Sequence, residues 1–284
     1  MYNVYQLLVS PETKEPLYFN KTNELLICND GEYQIVEGIP ILLPKDKPKY
    51  IFHYQRDAEV FDYFEQRYKE TEHEERRVYQ YVLSRIPPRA KVIADVGCGN
   101  GWLSRRLLAL DRVVISIDVA FNNVLKVLKL APDENHFGIV ADGYFLPFKD
   151  GSFDCMVASE VIEHLEKPED FLEELIRATK SGGTIILTTP YKEKIRYSLC
   201  IHCNQPTPWN AHLHSFDEHK LDKMLAKFGN GIHWRFFKFG NSLIQYLRLY
   251  RILSILPFRI WKLFDGLLNL FFKPKHILIE IKKG

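Results

Sequence analysis

From Lys91 onward, short apolar runs alternate with stretches whose apolar residues recur every three or four positions. Lys91–Val96, Arg112–Asp118, Phe137–Ala141, Phe153–Ala158 and Thr184–Thr188 predict strands, whereas Trp102–Leu110, Phe121–Leu130, Pro168–Thr179 and Asp217–Phe228 predict helices. Strands near Ile232–Phe239 and at His276–Lys282 complete the pattern. Buried runs alternating with amphipathic helices predict an α/β fold, a mostly parallel sheet with helices on both faces. Ahead of it, Tyr54–Tyr68 and Glu74–Arg85 read as helices, the second ended by Pro87 and Pro88. Residues 1–48 read as a few short strands between turns, too few to hold a core alone. The expected organisation is a small β-rich unit at 1–48, a main domain at 49–284, and a helical insert at 241–275 before the last strand.

Composition narrows the class. Of 284 residues, 46% are apolar and 26% charged, as in ordinary folded proteins. A net charge of +2 argues against nucleic acid as the partner. Five scattered cysteines do not describe a disulfide framework. With no secretory pattern at Met1–Pro11, a cytoplasmic protein is expected. The longest apolar stretch, Ser242–Phe272, is interrupted by Arg248, Arg251, Arg259, Lys262 and Asp265, so it is not a spanning helix.

The candidate chemistry begins where the first main strand ends, in KVIADVGCGNGWLS. Gly97, Gly99 and Gly101 allow a tight turn and close backbone approach to a ligand. A P-loop would need Gly-Lys-Ser/Thr, which is absent, and a dinucleotide loop would read G-x-G-x-x-G rather than G-x-G-x-G. Asp95 lies two residues before the first glycine. Beside a pyrophosphate it would be repelled by roughly 3 kcal/mol per charge pair at ~5 Å and an effective dielectric of ~20. S-adenosylmethionine (SAM) carries an ammonium and a sulfonium, so the same carboxylate attracts it. Asp118 ends the second strand, placed for ribose hydroxyls, and Asp142 ends the third, placed for the adenine amino group near the Gly143 N–H. Each alone could be a helix cap. Together with the glycine loop, the three favour SAM.

VIADVGCGNG, ISID, VADGYFLPFKDGSFDCMVASEVIEHL and KSGGTIILTTP resemble successive motifs of the class I SAM-dependent methyltransferases, in particular the branch that includes ubiquinone and menaquinone biosynthesis methyltransferases. The resemblance implies a Rossmann-like seven-stranded sheet of order 3-2-1-4-5-7-6, its last strand antiparallel. It implies cofactor contacts at Asp95, Gly97, Cys98, Gly99, Gly101, Asp118, Val119, Ala141, Asp142, Gly143, Ser159 and Glu160. The implied reaction moves a methyl group to an oxygen or carbon of a lipid-soluble or other small acceptor. Metal-assisted methylation of RNA and a non-catalytic SAM-binding protein are the alternatives. In-line attack is accelerated mainly by alignment and needs no strong base; His164 and His214 are the catalytic candidates. The N-terminal segment resembles a small zinc-ribbon family that partners methyltransferases, keeping Pro11, Lys14, Tyr33, Gly38, Ile39, Pro40, Leu42 and Leu43. Ser10 and Thr13 stand at two metal-cysteine positions and only Cys28 remains of the later pair. One thiolate cannot make a four-ligand zinc site, so a metal-free relic is expected, with an unrelated β-rich extension as the alternative.

Two metal constellations compete. Glu160, Glu163 and His164 in SEVIEHL resemble the E-x-x-E-H of small-RNA 2′-O-methyltransferases and ubiquinone-pathway O-methyltransferases, which binds a divalent ion with a further histidine, here His212 or His214. A helical turn would put Glu160 on one side with Glu163 or His164. Alternatively, Cys200 and Cys203 with His212 and His214 form a zinc knuckle. The insert Gly240–Lys275 carries six Lys/Arg and one acid, a local charge of +5. Pro257 divides it into two helical halves. A wide apolar face with a basic stripe and Trp261 is what an interfacial helix needs, which points to the inner face of a membrane; a helical hairpin that packs on the protein or forms a dimer interface is the alternative.

Overall fold

The computed structural model describes residues 2–20, 23–46, 48–60, 64–65, 68–200 and 204–284. After a 3-10 turn at Val4–Leu7 come β1 (Tyr18–Asn20), β2 (Leu25–Cys28), β3 (Gly31–Val36) and β4 (Ile39–Leu42), then α1 (Lys49–Val60) and α2 (Lys69–Leu83). The main domain runs β5 (Val92–Val96), α3 (Trp102–Leu107), β6 (Val113–Asp118), α4 (Phe121–Leu130), β7 (His136–Ala141), β8 (Phe153–Ser159), α5 (Pro168–Ala178) and β9 (Thr179–Pro190). A small hairpin of β10 (Tyr197–Leu199) and β11 (Pro206–Pro208) precedes α6 (Glu218–Leu225) and β12 (Ile232–Asn241). The insert forms α7 (Ser242–Tyr246), α8 (Tyr250–Leu253) and α9 (Phe258–Leu268), and β13 (Pro274–Lys283) ends the chain.

Among the described residues the sheet has eleven strands rather than the expected seven; within it β7-β6-β5-β8-β9-β13-β12 follow the expected order 3-2-1-4-5-7-6, with β13 antiparallel to both neighbours. β5 is buried along its whole length between helices on both faces, and its sequence is apolar except for Asp95. β4 pairs in parallel with β7 through Ile41↔Val140 and Leu42↔Ala141, so the N-terminal strands continue the same sheet. Val4, Leu8, Leu26, Tyr33 and Leu42 share one apolar core with β5–β9.

Where a zinc ribbon would hold metal, this segment holds a carboxylate. Asp30 Oδ2 accepts from the hydroxyls of Ser10 and of Thr13, the latter at 2.9 Å, while Cys28 Sγ lies 2.6 Å from Oδ1. Burial alone would raise the Asp30 pKa, but these donors outweigh it and hold the carboxyl below its usual range.

α1 begins five residues before the expected helix, and part of that expected span, 61–63 and 66–67, lies outside the described residues. The insert departs more. Its first half is two short helices rather than one, because Arg248 takes a left-handed backbone conformation (φ 53°) between them. Trp261 is not an exposed anchor. It is buried against Tyr81, Phe258 and the Arg77 guanidinium, which sits 4.7 Å over its ring. Arg77 in turn forms a buried ion pair with Asp265, so this acid faces inward.

Candidate functional site

The carboxyl ends of β5, β6, β7 and β8 converge, as expected for ligand binding in a parallel α/β sheet. The glycine loop after β5 folds back on β6. The N–H groups of Gly97 and Cys98 both donate to the Ile117 carbonyl (2.9 and 3.0 Å), Gly101 N–H to Cys98 (2.8 Å), and Gly99 N–H to Asp118 Oδ2 (3.4 Å). These donors are spent inside the protein, so the loop is not an open nest for a phosphate. Gly97 has φ 71°, and a Cβ there would lie 2.6 Å from the Val161 side chain. Loop and Glu160 segment therefore pack directly on each other.

Asp95 is buried, and its Oδ2 has no hydrogen-bond partner. Burial first, and then the neighbouring Asp118, push its carboxyl up to about 8. A buried carboxylate in this state fits a cationic ligand group. Asp118 caps the turn into α4 by accepting from the Ala120 N–H (2.9 Å), and takes Asn123 Nδ2 at 3.4 Å. Asp142 accepts from the Tyr144 N–H (3.1 Å) and the Tyr50 hydroxyl (2.6 Å). Gly143 is required by packing, since a Cβ would lie 2.8 Å from Phe171. Cys98 and Ala141 are buried beside these acids.

α1 lies across this rim, which periodicity did not reveal. Besides Tyr50 on Asp142, Gln55 Nε2 donates to the Val119 carbonyl (3.3 Å) and the Tyr54 hydroxyl to the His164 carbonyl (2.8 Å). One helix thus spans the ends of β6, β7 and β8.

The metal candidates fall differently from either expected set. Glu160 follows β8 with φ 55°, outside any helix, and the 3-10 turn starts only at Ile162. Glu160 and Glu163 therefore do not share a helical turn. Glu160 N–H donates to the Thr188 carbonyl (3.0 Å), Ser159 Oγ bonds Thr188 Oγ1 (2.9 Å), and Glu160 Oε2 faces His276 Nδ1 at 3.4 Å. Glu163, His164 and His212 instead come together, their ligand atoms all within 4.8 Å. His212 replaces His214 because the N–H groups of Leu213 and His214 both donate to the Glu163 carbonyl (2.8 and 3.1 Å), and the His214 ring turns to Phe216. Glu163 is fully buried with neither oxygen bonded, and burial and Glu160 raise its pKa well above the usual range. Burial and His212 lower His164 to about 4, which leaves a neutral imidazole suited to a metal. The second constellation includes Cys203, which lies outside the described residues.

Sequence reasoning also missed His276. It is buried between Glu160 and Glu74 of α2, which lies 3.0 Å from Nε2. Burial alone would lower its pKa, yet the two carboxylates raise it to about 9. Its only sequence signal is a histidine at the start of an apolar strand.

Residues 94–187 match a family model described as a methyltransferase domain. Among curated proteins, the ubiquinone biosynthesis O-methyltransferase of Xanthomonas axonopodis pv. citri is 30% identical over 128 residues, 43% of this chain and 52% of that protein. The mitochondrial ubiquinone biosynthesis O-methyltransferase of Homo sapiens is 34% identical over 119 residues, 38% of this chain and 31% of that protein. The chain thus spans about half or less of these relatives. A solved SAM-dependent methyltransferase from Mesorhizobium loti shares the fold with a TM-score of 0.52 and 15% identity, covering 73% of this chain and 98% of that one. Residues 94–187 thus carry a methyltransferase domain, and the fold is that of a solved SAM-dependent methyltransferase.

Proposed function

We propose that the protein transfers a methyl group from SAM to an oxygen of a small, lipid-soluble, quinone-like acceptor, working at a membrane surface. The observation that carries the cofactor is Asp95, a buried carboxyl with an unpartnered oxygen at the root of the glycine loop. The acceptor class rests on the ubiquinone biosynthesis O-methyltransferases among the relatives.

When bound, SAM supplies an electrophilic methyl group on a sulfonium. The chain's own residues hold and shield it. Asp95 receives the ammonium end, Asp118 the ribose hydroxyls, and Asp142 the adenine edge, with Ser159 and Glu160 at the loop packed on Gly97. Tyr50, Gln55 and Tyr54 of α1 close the rim and exclude water, which favours in-line attack by positioning. Glu163, His164 and His212 fit a divalent cation, since a bare buried carboxylate and two imidazoles are a matched donor set. Such an ion would acidify and orient an acceptor hydroxyl. His214 keeps a backbone role at this wall.

The test uses methyl-labelled SAM with a hydrophobic catechol, with RNA, and with neither. Label should enter the organic phase with the catechol, and Asp118→Ala should weaken SAM binding at least tenfold by calorimetry. Unaltered affinity in that variant contradicts the cofactor placement, and label in RNA instead contradicts the acceptor class.

A further inference from the structure

We propose that the outer face of α7–α9 is the surface on which the protein docks to an anionic lipid bilayer. The proposal deepens the lipid-soluble-acceptor reading above and rests on it for its purpose, though not for its geometry. α9 is organised inside out. Its inward positions, Trp261 and Asp265, are four residues apart and carry the buried Arg77–Asp265 pair. Its outward positions, Ile260, Leu263, Phe264 and Leu267, are apolar and exposed, Leu263 by 69%. The same holds on either side. Tyr250 and Leu253 of α8 are buried while Ile252 and Ile255 face solvent, and Leu270 and Phe271 beyond α9 are 75% and 82% exposed. Exposed apolar side chains in this number along one short insert mark a docking site rather than an ordinary exterior.

Charge selects the occupant. Because Asp265 is withdrawn and neutralised, no acid remains on the outside of the insert. Arg248, Arg251 and Arg259 are exposed and have no ion-pair partner among the described residues, and Lys273 adds a fourth exposed cation. A second copy docking through the same patch would set these cations against each other. An anionic bilayer satisfies both features, since headgroups take the arginines while the side chains between them enter the acyl boundary. No helix among the described residues is long and apolar enough to cross a membrane, so the surface lies on it.

The position serves the site. The insert leaves β12 at Asn241 and re-enters the sheet at Pro274, two residues before His276, whose ring is 3.4 Å from Glu160. Gln245 of α7 donates to Glu74 at 2.5 Å, and Glu74 holds the other side of His276. A lipid-soluble molecule leaving the bilayer therefore meets the carboxyl ends of the strands.

The full-length protein is floated with vesicles of phosphatidylcholine alone and of phosphatidylcholine mixed with phosphatidylglycerol. Two variants are compared, Arg251→Glu/Arg259→Glu and Ile255→Asp/Leu263→Asp/Phe271→Asp, with melting curves and SAM titration on the same samples. Wild type should float with the mixed vesicles only, and each variant should partition roughly tenfold or more weakly with melting and SAM affinity retained. Wild type that stays unbound to both vesicles overturns the proposal. So do equal flotation of folded variants, equal binding to phosphatidylcholine alone, and a dimer in solution that the apolar variant dissociates. Flotation without SAM binding would fail the methyltransferase reading and leave the docking surface standing.

Discussion

Asp95 holds a carboxyl that burial disfavours in its charged form and that the proposed cationic ligand would relieve. Its pKa of about 8 in the folded chain lies well above the unfolded value near 4. A group raised in this way favours the folded state fully below the unfolded pKa, and that contribution fades as pH climbs through about 8. Ligand-free protein should therefore lose stability from pH ~5 to ~8, while SAM affinity should rise over the upper part of that range as the carboxylate forms. Asp95→Asn should stabilise the free protein at pH 8 by about 1–3 kcal/mol, the scale of a buried polar group left unmade, and should remove the pH dependence of SAM binding. Urea melts and calorimetry across pH measure both, and an unchanged pH profile in the variant would sink the assignment. The three aspartates could be proposed beforehand because each lies at or next to the end of an apolar strand. The choice between His212 and His214 could not. Alternate residues differ in direction only once the backbone is placed, and here it is placed by two N–H bonds to the Glu163 carbonyl.

At the scale of elements, the strands were the most legible because burial on both faces leaves a continuous apolar run. The insert was least so. Its apolar residues outnumber its narrow basic stripe, and composition alone does not say which side turns inward. Arg77, 188 residues away on α2, decides it by pairing with Asp265. Removing one partner of such a buried pair strands the other charge and typically costs about 3–5 kcal/mol. Arg77→Leu should therefore destabilise the protein by that order, and Arg77→Leu/Asp265→Leu by distinctly less, with protease cleavage between α7 and α9 appearing first in the single variant. Equal urea midpoints for the single and double variants would show that the pair does not anchor the insert.

The whole molecule brings together segments that the chain keeps apart. Glu163 and His164 follow β8, whereas His212 lies beyond the β10–β11 hairpin, so a cation held by all three would clip that segment to the sheet. Ligand binding to the folded state alone stabilises it by about 2.7 kcal/mol at a hundredfold excess over Kd. Saturating Mn²⁺ or Zn²⁺ should raise the melting temperature by on the order of 5 °C, and both Glu163→Gln and His212→Ala should abolish the rise. A rise that survives in both variants would place the ion elsewhere. α1 belongs to the same scale, since its Tyr50, Gln55 and Tyr54 side chains reach the ends of three strands.

Local chemistry was written in the chain itself. Alternating apolar runs set the sheet and its helices, and the glycines and the acid before them narrowed the cofactor. These follow from nearest neighbours along the backbone. Tertiary structure alone decided which imidazole joins Glu163, that His276 bridges Glu160 to α2, and that the one acid of the insert points inward. Each depends on a partner from about 50 to more than 200 residues distant, brought into reach by packing rather than by sequence order.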